Sequence, residues 1–250
     1  VPRAAALALL LVSVTACSAE EWSRGGLPKG VTEQSDAVQS LWNGSWIAAL
    51  ATGVVVWGLI LWSVAFHRKR KNSKEQLPPQ VRYNLPIEIL YTVIPIIMVG
   101  VFFYFTARDQ NYITSVSGKP DVKVKVEAFQ WSWRFTTEYN GKSVQVVGLP
   151  VNDYTKGPQL VLPVEKNIEF DLTAPDVIHS FWVPAFHFKR DVIPGVKDNK
   201  FEVKTLGQTG VFAGRCAELC GVDHSKMLFS VKLVPQAEFD QYIASQAGAQ

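Results

Sequence analysis

"VKVKVEA", Val122 to Ala128, alternates apolar and charged side chains without a break. A period of two is the pattern of a strand with one face buried and the other wet. Downstream the texture recurs in "WSWRFTTEY" (131–139), "SVQVVGL" (143–149), "QLVLP" (159–163) and "NIEFDLTA" (167–174). It continues in "HSFWVP" (179–184), "KFEVKT" (200–205), "GVFAG" (210–214) and "MLFSVKLV" (227–234). These segments are short, rich in β-branched and aromatic residues, and separated by Gly, Pro, Asn and Asp. That predicts an all-β sandwich or barrel over residues 108–234. The closing "PQAEFDQYIASQ" reads as a surface helix within 235–250, with Pro235 in its first turn.

Upstream the character changes. The apolar fraction of 48% is ordinary for a globular chain, but it is concentrated in three early stretches. "VPRAAALALLLVSVTAC" has one basic residue, an apolar run too short to span a bilayer, and small residues before Cys17. It reads as an export signal over 1–16. Its ending resembles a lipoprotein processing site, which would make Cys17 a lipidated N-terminus. Residues 46–66 and 85–107 are apolar runs of spanning length. Trp46, Trp62 and Tyr104 fall near their ends, where amphipathic rings prefer the interface. Between the runs, residues 67–84 hold six Lys/Arg (Arg68, Lys69, Arg70, Lys71, Lys74, Arg82) against Glu75. The positive-inside rule puts this loop in the cytoplasm. The N-terminal segment 17–45 and everything after 107 then face outside, on the outer face of a cell membrane. A formal charge of +3, with no basic stripe interleaved with aromatics, gives no reason to expect nucleic-acid binding.

One motif carries chemistry. "GRCAELCGVDHSKM", Gly214 to Met227, places Cys216, Glu218, Cys220, His224 and Met227 together in a chain with only three cysteines and two methionines. Outside the cell a disulfide is the default expectation for a cysteine pair, yet it leaves His224 and Met227 unexplained. Zinc suits Cys and His but has no use for a thioether. Soft sulfur ligands select copper, and a one-copper blue site would leave a cysteine over. Two thiolates bridging two metals fill four coordination positions. His224, Met227, a further histidine (His179 or His187) and one carbonyl fill four more, which completes two four-coordinate copper ions.

At these residues the chain resembles subunit II of haem–copper cytochrome c oxidases of bacteria. The resemblance lies in "CAELCGVDHSKM", "DVIHSFWVP…KRDVIPG", the aromatic run "FQWSWRF" and the two-span hairpin before the β domain. It implies a two-span helical hairpin followed by a cupredoxin-like sandwich. It also implies a dinuclear copper A centre held by His179, Cys216, the Glu218 carbonyl, Cys220, His224 and Met227. His187 has no place in that pattern and reads as structural. Two coppers sharing two thiolates spread the charge, and Phe181, Trp182 and Phe229 are expected to keep the surroundings apolar.

Further roles follow from the same resemblance. Trp131 would receive electrons, while Trp131 and Trp133 are expected on one strand facing opposite ways. Glu88 is either a helix-start carboxylate or the mouth of a proton pathway into subunit I. The Glu218 side chain would help hold magnesium or manganese at the interface with subunit I. Asp176 would orient His179 or belong to the donor docking area. The implied partners are subunit I, which carries the haems, other oxidase subunits, membrane lipid and a c-type cytochrome donor. From Arg108 onward Lys/Arg and Asp/Glu balance at 16 each, which does not favour electrostatic steering. A cytochrome tethered within a larger respiratory assembly fits that balance better. The expected activity is oxygen reduction to water in the partner subunit, coupled to proton translocation. Two rivals make contrary demands: a quinol oxidase subunit II would lack the copper ligands, and a copper-storage lipoprotein would have no need of the aromatic run or Glu88.

Overall fold

The computed structural model of this chain describes residues 18–68 and 80–247. Cys17 with the signal region, and Lys69, Arg70, Lys71, Lys74 and Glu75 of the basic loop, lie outside the described residues. The chain divides into two compact units: residues 40–109, and the segments 1–39 with 110–250.

A short helix α1 (Ala19–Ser23) opens the described chain, its end closed by reciprocal bonds between Ser18 and Glu21. Two long helices follow, α2 (Glu33–Phe66) and α3 (Leu85–Thr114), and both are long and apolar enough to cross a membrane. They overrun the apolar stretches that announced them. Glu33 and Asp36 occupy the first turn of α2, where negative charge suits the helix dipole. Arg108, Asp109, Gln110, Asn111 and Thr114 fall in the last turns of α3. An apolar run measures what lipid would cover, and backbone hydrogen bonding does not stop where it ends. Most of the large apolar side chains in the helical unit are exposed. Trp42 packs edge-on to Trp46 at 5.8 Å and Trp62 tilts against Phe66 at 4.4 Å.

The second unit is the sandwich. Among the described residues it has ten strands: β1 (Val122–Phe129), β2 (Ser132–Tyr139), β3 (Lys142–Val147), β4 (Gln159–Pro163), β5 (Asn167–Thr173), β6 (His179–Val183), β7 (Phe188–Val192), β8 (Lys200–Lys204), β9 (Gly210–Cys216) and β10 (Leu228–Val234). One sheet runs β3-β2-β1-β5-β8, the other β4-β10-β9-β6-β7. The pairs β1–β5 and β4–β10 are parallel and the rest antiparallel. Val122, Val124, Val126 and Ala128 point inward from β1 while Lys123 and Lys125 face out, as the alternation requires. Between the sheets Trp133, Phe135, Phe170, Phe181, Phe201 and Phe229 interlock, with Phe181 stacked on Phe229 at 5.0 Å and Phe170 on Phe201 at 4.7 Å. Each such burial contributes about 1.5–3 kcal/mol.

Strand β7, "FKRDV", is not apparent in the sequence. It is an edge strand with three consecutive charges, a composition that discourages edge-to-edge pairing. The helix α4 (Gln236–Ala247) begins just after Pro235, whose carbonyl accepts from Phe239 N–H, and seals one end with Phe239 and Ile243. The expected divergence of Trp131 and Trp133 on a strand is incorrect, because residues two apart on a strand share a face. They separate because Trp131 lies in the turn between β1 and β2, whereas Trp133 is inside β2 and fully buried.

Residues just before and at the start of α2 are bound to the sandwich. Val31 N–H donates to the Ala185 carbonyl at 3.0 Å, Leu206 N–H donates to the Val31 carbonyl at 2.9 Å, and Lys204 pairs with Glu33 at 2.6 Å. Val31, Thr32 and Ser35 are fully buried.

Candidate metal centre

Three segments meet at one end of the sandwich: the start of β6, the end of β9, and the loop from Ala217 to Met227. The antiparallel pairing of β9 with β10 sets that loop's base, closed by Cys216 N–H on the Met227 carbonyl at 3.0 Å. Trp133, deep in the core, donates its indole N–H to the same carbonyl at 3.2 Å. The loop turns at Gly221, whose φ of 126° suits glycine, and a Cβ there would sit 2.8 Å from Trp131 Nε1.

Side chains far apart in sequence converge. The ligating atoms of His179, Cys216 and Cys220 lie within 4.8 Å of one another, and all three residues are buried. Cys216 Sγ is 3.9 Å from His179 Nδ1, 3.2 Å from the Glu218 carbonyl and 3.9 Å from Cys220 Sγ. Cys220 Sγ is 3.5 Å from His224 Nδ1 and 3.8 Å from Met227 Sδ. The sulfur separation is far beyond the ~2.05 Å of a disulfide, and both cysteines are free. All six groups singled out in the sequence are therefore brought together. The set of two thiols, two imidazoles, a thioether and a carbonyl suits a soft metal. Met227, fully buried against Cys220, is the feature a zinc site would not use.

Electrostatics agree with a cation-binding role. Burial alone would raise the Cys216 thiol, but hydrogen bonds led by that with His179 bring it below its ordinary value. Burial, then the charge of Cys216, pushes Cys220 up to about 12. The two thiols thus differ, and a cation between them would favour losing both protons. Burial disfavours charging His179, yet Cys216 and Asp176 together lift it above its usual range.

Asp176 touches the site directly. Its Oδ1 is 2.9 Å from His179 Nε2, which fixes that nitrogen as the N–H and leaves Nδ1 for a metal. It also accepts from the backbone N–H groups of Gln130 and Val177, each at 2.7 Å. Burial would raise this carboxyl, but those bonds hold it below the usual range.

Trp131 lies against the ligand loop, its indole N–H donating to the Cys220 carbonyl at 3.2 Å. Gln130, not singled out in the sequence, donates to the same carbonyl at 2.8 Å. Its position beside a motif tryptophan was the only available signal. Trp182 does not line the site as expected. It is paired in register with Arg215 and faces away from Phe181 and Cys216, with the Arg215 guanidinium 5.1 Å from its ring centre. Glu218 turns its carbonyl inward while its side chain is exposed. Glu88 belongs to the helical unit, where its carboxylate accepts from Asn84 N–H at 2.8 Å and caps the start of α3.

Fold and site together define a class: a β-sandwich with a soft-metal donor set, preceded by two helices of membrane-spanning length. Residues 122–234 match the family described as "Cytochrome C oxidase subunit II, periplasmic domain". A probable cytochrome c oxidase subunit 2 of Streptomyces coelicolor is 47% identical over 96% of this chain and 84% of its own length. The cytochrome c oxidase subunit 2 of Mycobacterium tuberculosis is 38% identical over 96% of this chain and 80% of its own. The crystal structure of the periplasmic domain of subunit II of cytochrome oxidase of Bradyrhizobium japonicum is 33% identical, with a TM-score of 0.46, over 51% of this chain and 94% of that one. This chain belongs to the cytochrome c oxidase subunit II family.

Proposed function

We propose that this chain is the electron-receiving subunit of the oxidase, with a dinuclear copper A centre held by His179, Cys216, the Glu218 carbonyl, Cys220, His224 and Met227. The observation that carries the proposal is the convergence of two thiols, two Nδ1 atoms, a thioether and a carbonyl at hydrogen-bond-like separations. Copper held by these residues would supply a one-electron carrier there.

The residues of this chain do the rest. Asp176 holds His179 in one orientation, and Trp133 and Cys216 N–H anchor the Met227 end of the loop. Phe181 and Phe229 exclude water from the inner side. Trp131 is the group at which electrons arrive from a c-type cytochrome, since its indole is one hydrogen bond from a ligand residue's carbonyl. Leu219 and Val222, both exposed beside Cys220, offer that donor an apolar landing surface. With the balanced charge of the outer unit, this favours a cytochrome tethered within a respiratory assembly over long-range steering.

Electrons then pass to haems in subunit I, where oxygen is reduced to water and protons are moved across the membrane. The exposed Glu218 carboxylate contributes to a magnesium or manganese site at the interface with subunit I. Glu88, besides capping α3, serves as the mouth of a proton pathway into that subunit. The sandwich faces the outside of the cell membrane, opposite the basic loop, and Cys17 carries lipid.

Metal analysis and electron paramagnetic resonance of the purified full chain test the copper assignment. Two coppers per chain with hyperfine structure from two equivalent nuclei is the expected result, and zinc or a single copper overturns it. Trp131→Phe should slow electron uptake and leave that spectrum unchanged. Glu88→Gln should slow turnover of the assembled oxidase while the copper is still reduced at the normal rate.

A further inference from the structure

His187 follows a single 310 turn, Pro184–Phe186, at the end of β6, and its backbone has φ 53° and ψ 28°, in the left-handed region. A side chain other than glycine is uncommon there and costs backbone energy. The ring has a specific setting. Nδ1 lies 3.2 Å from the Ser35 carbonyl and Nε2 lies 2.8 Å from the Pro28 carbonyl. Pro28 lies in the segment leading into α2 and Ser35 in the first turn of α2 itself, and the ring bridges the two. Gly30 sits within that bridge, where a Cβ would come 3.6 Å from His187 Cε1 and collide with the Ser35 side chain.

The chemistry of this bridge is one-sided. A carbonyl oxygen can only accept a hydrogen bond. Neutral imidazole has one N–H, and its other nitrogen would turn a lone pair toward an oxygen lone pair. Only the doubly protonated ring donates to Pro28 and Ser35 together. The charged groups on the surrounding elements are Lys29, Glu33 and Asp36 on the leading segment and α2, Lys189 and Arg190 on β7, and Lys204 on β8. Four are already engaged: Glu33 with Lys204 at 2.6 Å, Lys189 with Asp191 at 2.9 Å, and Arg190 with Asn199 at 2.6 Å. The hydrogen-bond partners of the ring among the described residues are both carbonyls.

We infer that His187 is a proton-dependent latch that fastens residues 28–35 to the sandwich. Both bonds form when the ring carries two protons, and one opens when a proton leaves. The latch closes the segment that runs straight into α2 against the turn that continues the strand bearing His179. Acidity on the side of the sandwich would therefore tighten the tie between the site's scaffold and its membrane-directed segment.

Hydrogen–deuterium exchange on the full chain in detergent tests this, with rates corrected for intrinsic pH dependence. Protection of the Val31 and Leu206 amides, which both depend on the leading segment, should fall about tenfold from roughly pH 5.5 to roughly pH 8. Val124 in β1 should not change. His187→Asn tolerates the left-handed backbone and stays neutral, so Val31 protection should remain at the high-pH level throughout. Wild-type protection independent of pH, or the same fall in the Asn variant, overturns the latch. Nitrogen-15 spectra of the wild-type ring give a second reading: loss of the form with two N–H groups over the same pH interval as Val31 protection supports it, and a neutral ring with Val31 still fully protected contradicts it.

Discussion

The helical unit and the sandwich treat apolar residues in opposite ways. In α2 and α3 side chains such as Leu61, Val64, Ile96 and Val99 stay exposed, whereas in the sandwich Trp133, Phe181 and Phe229 are nearly inaccessible. The contrast teaches which parts of the chain carry their own stability. The six converging groups of the site all sit on the unit with the interlocked rings. Helices with outward apolar faces need cover from outside, as lipid would give, because among the described residues those side chains stay exposed.

Substitutions can break or sharpen that comparison. The largest effect is expected from Cys216→Ser, which removes the shared sulfur nearest His179 and Glu218 and should abolish the two-copper spectrum while the sandwich stays folded. Phe229→Ala should cost about 3–5 kcal/mol of sandwich stability, read from chemical denaturation, because it opens a cavity where three rings meet. Asp176→Ala should weaken copper binding about 10–100-fold in competition titrations, since it frees the His179 ring. Copper affinity should rise with pH by at least about tenfold per unit near neutrality, because the Cys220 proton must leave before its sulfur can bind. At the small end, Leu61→Ala on the exposed face of α2 should change sandwich stability by less than about 0.5 kcal/mol. An effect as large as that of Phe229→Ala would mean the two units are not independent.

Much of this was legible from particular residues. The alternation of "VKVKVEA" marked β1, and the spacing of Cys216, Cys220, His224 and Met227 marked the metal loop, because both patterns are local. His179 could be placed only through the resemblance, since it reaches the site by strand pairing across 37 positions. Strand β7 stayed hidden because an edge strand does not need an apolar alternation. Trp182 was misplaced because an aromatic beside a ligand looks like a pocket wall until strand parity turns it outward. Gln130 and the Trp133 indole act through backbone carbonyls of the loop, a kind of contact that sequence spacing does not encode. The His187 bridge depends on where a separate segment folds back, which no motif announces.

The central claim concerns paired metals clasped by twin sulfurs, and the magnetic spectrum of the oxidised full chain is its most direct test. One unpaired electron coupled equally to two copper nuclei, at two coppers per chain, is the result expected. A spectrum of one isolated copper, or silence with zinc bound at Cys216 and Cys220, contradicts the account.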